Sequence, residues 1–389
     1  MWKIIFFTSF ILLLYTYVGY GMLIAFLNLF RRNRTVVGFP DEWPGVTLLI
    51  AAFNEADCIE EKIRNSLSLD YPAGKLQILV VTDGSTDATA EIVAGYSNIT
   101  LLHQPQRLGK TAALNRAMHF VNSEIVVFSD ANALLNKEAI KFMVRHFQDE
   151  QVGGVAGEKK IIDSGSSVGK SEGVYWRYES QMKQLDAVFN TGIGAAGELF
   201  AMRTKLYNAL PDNILLDDFV QSVRLPLNGS RLAYEPNAFA QEGPSLSFGE
   251  EWKRKVRIAA GAWQTMFLYP SLFAFWKHSL ISFQFISRRF FRWVICPVAL
   301  VMLFISNYFL WQAGGHFYSI FWWAQAVFYL LAIIGWVYQY SGRSGWWWLL
   351  PFYFAFTNLA QFAGIIAWLS GSQKAAWTKA KRYKAMDNG

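Results

Sequence analysis

The sequence predicts an α/β domain, built on a mostly parallel sheet covered on both faces and held between membrane-spanning α-helices. Charge-free apolar runs lie at both ends, and short β-branched-rich runs alternate with amphipathic stretches in the middle. Acidic residues recur just past the predicted strands. Strands alternating with helices give this sheet, and uninterrupted apolar length gives the spans.

Residues 4–30 carry no charge. Such a helix extends about 40 Å, beyond the roughly 30 Å of a hydrocarbon core. A secretory signal has a shorter apolar run and a small-residue cleavage site, so a retained span is expected. Runs 290–311, 317–340 and 346–369 are each long enough to cross. Trp322, Trp323, Trp336, Trp346, Trp347 and Trp348 crowd their edges, where amphipathic rings meet headgroups. The expected layout is a transmembrane helix over 1–34, the α/β domain over 44–264 and an interfacial segment over 265–289. Transmembrane helices over 290–370 and a basic tail over 371–389 follow.

Arg31, Arg32 and Arg34 follow the first span, and Arg288, Arg289 and Arg292 open the second. By the positive-inside rule the segment between them faces the cytoplasm, making an integral inner-membrane protein whose basic clusters meet anionic headgroups. One feature conflicts. Three C-terminal crossings put Lys374, Lys379, Lys381, Arg382 and Lys384 outside, where the charge rule wants them inside. A broken or re-entrant segment at Pro351, Asn358 and Gln361, or insertion of residues 273–286, would reconcile the two. The sequence does not choose.

The chain has two cysteines, Cys58 and Cys296, which excludes a disulfide framework or a zinc site. The net charge of +7 is concentrated beside the spans, which argues against nucleic-acid binding.

In the middle, strands are expected over 46–52, 77–82, 99–103 and 124–129, with helices over 56–68, 87–95 and 110–121. Ligands of such sheets bind beyond the carboxyl ends of the strands. There the sequence places Phe53-Asn54-Glu55, Asp83-Gly84-Ser85-Thr86-Asp87 and Asp130-Ala131-Asn132. Gathered carboxylates repel one another unless they hold a cation or hydrogen-bond a ligand. Read singly, Asp-Gly-Ser-Thr is a turn with a helix cap. On one sheet edge the three stretches point to a ligand site. No Gly-x-Gly-x-x-Gly follows the first strand, which disfavours a dehydrogenase.

The order of these motifs, continued by Arg107-Leu108-Gly109-Lys110 and Leu216-Asp217-Asp218, resembles the membrane-bound family 2 glycosyltransferases. That group includes the cellulose, hyaluronan, chitin-oligosaccharide and poly-N-acetylglucosamine synthases. The resemblance implies a GT-A (Rossmann-like) fold and inverting transfer from a nucleotide-sugar donor, expected to be a UDP-sugar, to a glycan or lipid acceptor. It places Asn54, Glu55, Asp83, Lys110 and Asp130 against the nucleotide-sugar. Carboxylates suit ribose hydroxyls and a base N–H, and a lysine at a helix start suits a diphosphate. Asp130 and Asn132 match the Asp-x-Asp element, implying a divalent cation, Mg or Mn, with Asn as a neutral oxygen ligand. Asp217 and Asp218 match the acidic pair supplying the general base, a role given to Asp218 because a hydroxyl is a poor nucleophile at neutral pH. Read on their own, the same two residues are favourable charges at a helix N-terminus.

Gly197 and Glu198 fall in a stretch that resembles the segment lining the acceptor site, and Trp176 is expected near the acceptor, with a surface helix as the alternative reading. Arg257 falls where processive members carry Gln-x-x-Arg-Trp. The stretch Arg254-Lys255-Val256-Arg257-Ile258 keeps the arginine, which could clamp a diphosphate, and lacks the glutamine and the tryptophan. An amphipathic surface helix is the alternative reading of this basic run. Polysaccharide synthesis is the leading function, with single-sugar transfer to a lipid acceptor (polyprenyl phosphate, diacylglycerol or ceramide-like) as the alternative. A non-catalytic membrane scaffold is a lesser one.

Overall fold

A computed structural model describes residues 1–31, 38–162, 165–339, 345–373 and 382–383. Expectations for Arg32, Arg34, Lys374, Lys379, Lys381 and Lys384 lie outside the described residues.

One eight-stranded sheet forms the centre, in the order β3-β2-β1-β4-β7-β6-β8-β5. Its first four strands in sequence are β1 (Val46–Ala52), β2 (Leu76–Asp83), β3 (Thr100–Gln104) and β4 (Ile125–Asp130), all mutually parallel where they pair. Every residue of β1 is buried, as expected of a central strand covered on both faces. The other half of the sheet is mixed. β7 (Phe200–Arg203) runs antiparallel to both β4 and β6 (Val152–Ile161). β8 (Arg231–Glu242) lies parallel to β6, and β5 (Leu134–Leu135) closes the edge antiparallel to β8. Helices Ile59–Leu67, Thr89–Ala94 and Lys110–Met118 cover the parallel half.

Register sets the site. Ala51 pairs with Asp130 and Ala52 with Thr82, so β1, β2 and β4 end level and their following loops share one sheet edge. The loops are laced together there. Asn54 takes a left-handed backbone (φ 54°), and its Oδ1 accepts from the Thr86 N–H at 2.8 Å. The Glu55 N–H donates to Thr89 Oγ1 at 2.8 Å.

Among the described residues, four helices are long and apolar enough to cross a membrane: Trp2–Leu29, Phe275–Gln312, His316–Tyr338 and Trp347–Leu369. The second starts before residue 290, so residues 275–289 are continuous with the helix that ends at Gln312 and bend at His278. Arg288, Arg289 and Arg292 also differ from expectation. Glu179 receives all three, at 2.6, 2.8 and 2.9 Å, and Arg288 also pairs with Asp186. They fasten this helix to the Ser167–Phe189 helix instead of facing headgroups, because guanidinium groups among apolar side chains require carboxylate partners.

Helix Trp346–Leu369 runs through Pro351, Asn358 and Gln361 without a break. It lies along the Phe248–Leu268 helix. Phe352 packs edge-on against Phe248 at 4.8 Å, Gly364 abuts Ala259, and Trp368 stacks on Phe267 at 4.6 Å. Further on, Arg382 Nη1 pairs with Glu242 Oε2 at 2.7 Å and the Tyr383 N–H donates to the Pro244 carbonyl at 2.9 Å. Residues 382–383 therefore rest against the end of β8.

Candidate active site

The loops after β1 and β4, the start of helix Lys110–Met118 and helices Ser167–Phe189, Asp217–Leu227 and Phe248–Leu268 enclose a cavity of about 1100 Å³. Its lining includes Glu55, Lys110, Asp130, Asn132, Trp176, Gly197, Glu198, Asp217, Asp218 and Arg257. Asn54 and Asp83 are not in that lining. Asp83 is buried, its two carboxylate oxygens accepting the Leu108 N–H at 2.9 Å and the Gly109 N–H at 2.7 Å. The sequence expected both residues to face the nucleotide. The structure turns them toward backbone N–H groups of the neighbouring loops, which need acceptors once buried. Asp83 thereby fixes the turn that launches Lys110.

Gly109 adopts φ 104°, a conformation that favours glycine, and the helix begins at the next residue. Lys110 Nζ reaches Asp130 Oδ1 at 2.6 Å. Burial works against the lysine charge, yet the carboxylates of Asp130, Asp217 and Asp218 outweigh it and hold its pKa above the ordinary range. Asp218 shows the opposite balance. Enclosure by protein and the neighbouring Asp217 raise its pKa to about 7, against the pull of Lys110. A Cβ on Gly197 would sit 3.2 Å from Lys110 Nζ and 3.4 Å from Asp218 Oδ2, so the glycine leaves open the space that both groups border.

Arg257 projects from the Phe248–Leu268 helix and donates to the Leu215 carbonyl at 3.4 Å. Burial lowers its pKa, while Asp217, Asp218 and Asp130 pull it upward, which places the guanidinium in the field of the same carboxylates. Glu198 is committed to Lys159, which also pairs with Glu242. Burial opposes its charge, but Lys159 prevails and holds Glu198 below the usual carboxylate range.

For a hard divalent cation the donor set must be oxygen. Asp130 offers a carboxylate whose side chain is 30% exposed, and Asn132 donates through Nδ2 to Glu242 Oε1 at 2.9 Å, keeping its amide oxygen for another partner. These residues fit such an ion. Glu55, Asp57 and Cys58 also converge, with ligand atoms within 4.8 Å of one another, but Cys58 Sγ is hydrogen-bonded to Glu55 Oε2 and a thiol is a poor ligand for Mg.

Sequence reading missed Lys159, Lys183, Tyr175, Arg289, Arg292 and Tyr353. The lining includes all but Lys159. One signal was available for Lys159, which alternation puts on the inward face of β6 between Glu158 and Lys160.

Residues 47–210 match the model of Glycosyl transferase family 2. That segment is a family 2 glycosyltransferase domain. Among curated relatives, the poly-beta-1,6-N-acetyl-D-glucosamine synthase of Staphylococcus aureus (strain MSSA476) is 27% identical over 236 residues, 58% of this chain and 56% of that protein. The synthase of the same name from Staphylococcus epidermidis is 26% identical over 247 residues, 61% of this chain and 59% of that protein. The chain thus spans less than two thirds of these relatives' length. A solved mannosyltransferase from Pyrobaculum calidifontis, in complex with GDP-Man and Mn2+, superposes with a TM-score of 0.71 at 21% identity. That likeness covers 96% of this chain and 100% of the other, and the shared fold is GT-A with apolar helices attached. The family 2 segment contains β1 to β7, with Glu55, Lys110, Asp130, Asn132, Trp176, Gly197 and Glu198, while Asp217, Asp218 and Arg257 lie beyond it.

Proposed function

We propose that this chain transfers a hexose or N-acetylhexosamine, with inversion, from a nucleotide-sugar to a hydroxyl of a glycan acceptor at a membrane surface. The observation carrying this reading is Asp218, a carboxylate with a pKa near 7 on a cavity it shares with Lys110, Asp130 and Arg257. A base with that pKa accepts a proton at neutral pH without being inert toward it. As the acceptor oxygen bonds to the anomeric carbon, its proton passes to Asp218. The bond to the diphosphate breaks on the opposite face, and nucleoside diphosphate leaves.

Arg257 and Lys110 meet the charge building on that leaving group. A divalent cation, held by Asp130 and Asn132, supplies further neutralisation when bound. Glu55 is positioned for the nucleoside, and Asp83 and Asn54 act from behind by holding the loops. Gly197, Glu198 and Trp176 form the acceptor side. The GDP-Man bound to the Pyrobaculum calidifontis neighbour supports a nucleotide-sugar donor, with a UDP-sugar the donor expected from the sequence.

A lipid-borne acceptor is the second reading, favoured by the cavity's extent. Its wall includes Tyr17, Phe328, Tyr353 and Asn358 from the apolar helices as well as Asp130 and Asp218. Residues 382–383 rest on β8 beside the catalytic domain, which supports a reading with three crossings and helix Trp346–Leu369 along the domain, whose side is read as cytoplasmic. Transfer assayed over a panel of UDP- and GDP-sugars, with product length resolved, tests the function. We expect Asp218→Asn to lower turnover by about 10²- to 10⁴-fold while nucleotide binding persists. Full turnover in that variant removes Asp218 as the base.

A further inference from the structure

Asn132 sits in the turn between β4 and β5, and β5 lies beside the end of β8. Leu134 pairs with Gln241, which brings that turn against Glu242, the last residue of β8. Glu242 is held on several sides. The Ile162 N–H donates to its carbonyl at 3.0 Å, Lys159 and Arg382 both pair with its Oε2, and Asn132 Nδ2 donates to its Oε1 at 2.9 Å. The side chains of Glu242 and Lys159 are each 1% exposed, so the carboxylate has no room to swing away.

An amide offers N–H on one side and a carbonyl oxygen on the other. With two cations on Oε2, Glu242 meets the Asn132 amide as an acceptor, and only the N–H side can answer it. Glu242 therefore decides which way the amide faces. Asn132 Oδ1, which accepts no hydrogen bond among the described residues, is left as an oxygen donor on the cavity that Asp130 also lines. The same contact accounts for the amide at this position. An aspartate there would bring a second carboxylate within hydrogen-bond distance of Glu242, and two such groups resist being ionised together.

We propose that Glu242 is a positioning residue of the cation site, turning the Asn132 amide oxygen toward the ion and making asparagine, rather than a carboxylate, the competent residue there. The proposal rests on the transferase reading in taking Asp130 and Asn132 as ligands of the cation. Lys159, which holds Glu242, also holds Glu198, so one ammonium ties the cation side of the cavity to the side read as the acceptor's.

Mn2+ binding to the full chain in nanodiscs with saturating UDP, read from the electron paramagnetic resonance signal of the free ion, tests it. UDP binding without metal is the control for folding. Asn132→Asp is expected to bind Mn2+ at least about threefold more weakly than the unaltered chain, although it adds a negative charge. Glu242→Gln should weaken binding about tenfold, because the glutamine amide can meet Asn132 with either end. In the double variant the glutamine N–H can donate to the aspartate, and binding should recover at least to the level of the unaltered chain. Asn132→Asp thus weakens binding opposite glutamate and strengthens it opposite glutamine, a reversal that a general loss of structure does not produce. Any other pattern, including the same change in both backgrounds, overturns the proposal. If Glu242→Gln fails the UDP control, Asn132→Asp alone decides, and binding equal to or tighter than that of the unaltered chain overturns it. Absence of Mn2+ binding by the unaltered chain overturns it too. If the reversal is seen and no nucleotide-sugar is turned over, the transferase reading fails and the cation site stands. Metal-dependent turnover without the reversal keeps the transferase and removes Glu242 from the site.

Discussion

Replacing Lys110 by methionine should move the acid limb of the pH–rate profile rather than lower the rate uniformly. The open face of Gly197 lies 3.2 Å from Lys110 Nζ and 3.4 Å from Asp218 Oδ2. The two charges are therefore no more than about 7 Å apart, and at an effective dielectric near 20 their attraction is about 2.5 kcal/mol. That attraction favours the ionised carboxylate, so its loss raises the Asp218 pKa by nearly 2 units. The base must be deprotonated to act, and its pKa starts at about 7. In the unaltered chain kcat/KM should fall below about pH 7, roughly tenfold for each unit. In Lys110→Met the limb should lie near pH 9, with a loss of roughly 40-fold at pH 7 from this coupling that is largely recovered at pH 9.5. The assay is transfer from the donor selected by the panel, run at saturating metal from pH 5.5 to 10. A constant deficit at every pH refutes the electrostatic coupling and leaves Lys110 with donor binding alone.

Asp130→Ala should weaken donor binding in the presence of Mn or Mg and flatten its dependence on metal concentration. A metal titration that superposes on that of the unaltered chain would take Asp130 out of the cation site. Glu179→Gln removes the charge shared by three buried arginines, and breaking such a network costs about 3–5 kcal/mol. Its midpoint of thermal unfolding should drop by several degrees, and an unchanged midpoint would show that the arginines find other partners.

The parallel half of the sheet was legible because β1, β2 and β4 are continuous apolar runs, and the polar residues after them identified the ligand edge. The antiparallel half was not. β7 is four residues long and pairs with β4 and β6 across large gaps in sequence, so no local periodicity announces it. Ten of the twelve site residues expected from sequence line the cavity, but their identity did not give the direction of each side chain. Asp83 is consumed by the Leu108 and Gly109 N–H groups, a contact set by tertiary geometry. The arginines of residues 288–292 were read as headgroup ligands because their spacing beside an apolar run looks the same whether or not a buried glutamate waits opposite. Glu179 supplied what sequence could not show. The tail conflict had the same origin, since the meeting of Arg382 with Glu242 depends on how the last long helix packs.

That the cavity wall continues from Asp218 to Tyr17, Phe328 and Asn358 has a practical consequence for purification. The same opening that would admit a long-chain substrate also admits surfactant, whose alkyl tail fits the apolar wall and whose head group would crowd the reacting hydroxyl. Micelle-extracted material should then display an inflated acceptor KM that falls on transfer to bilayers, with the nucleotide-sugar KM little changed.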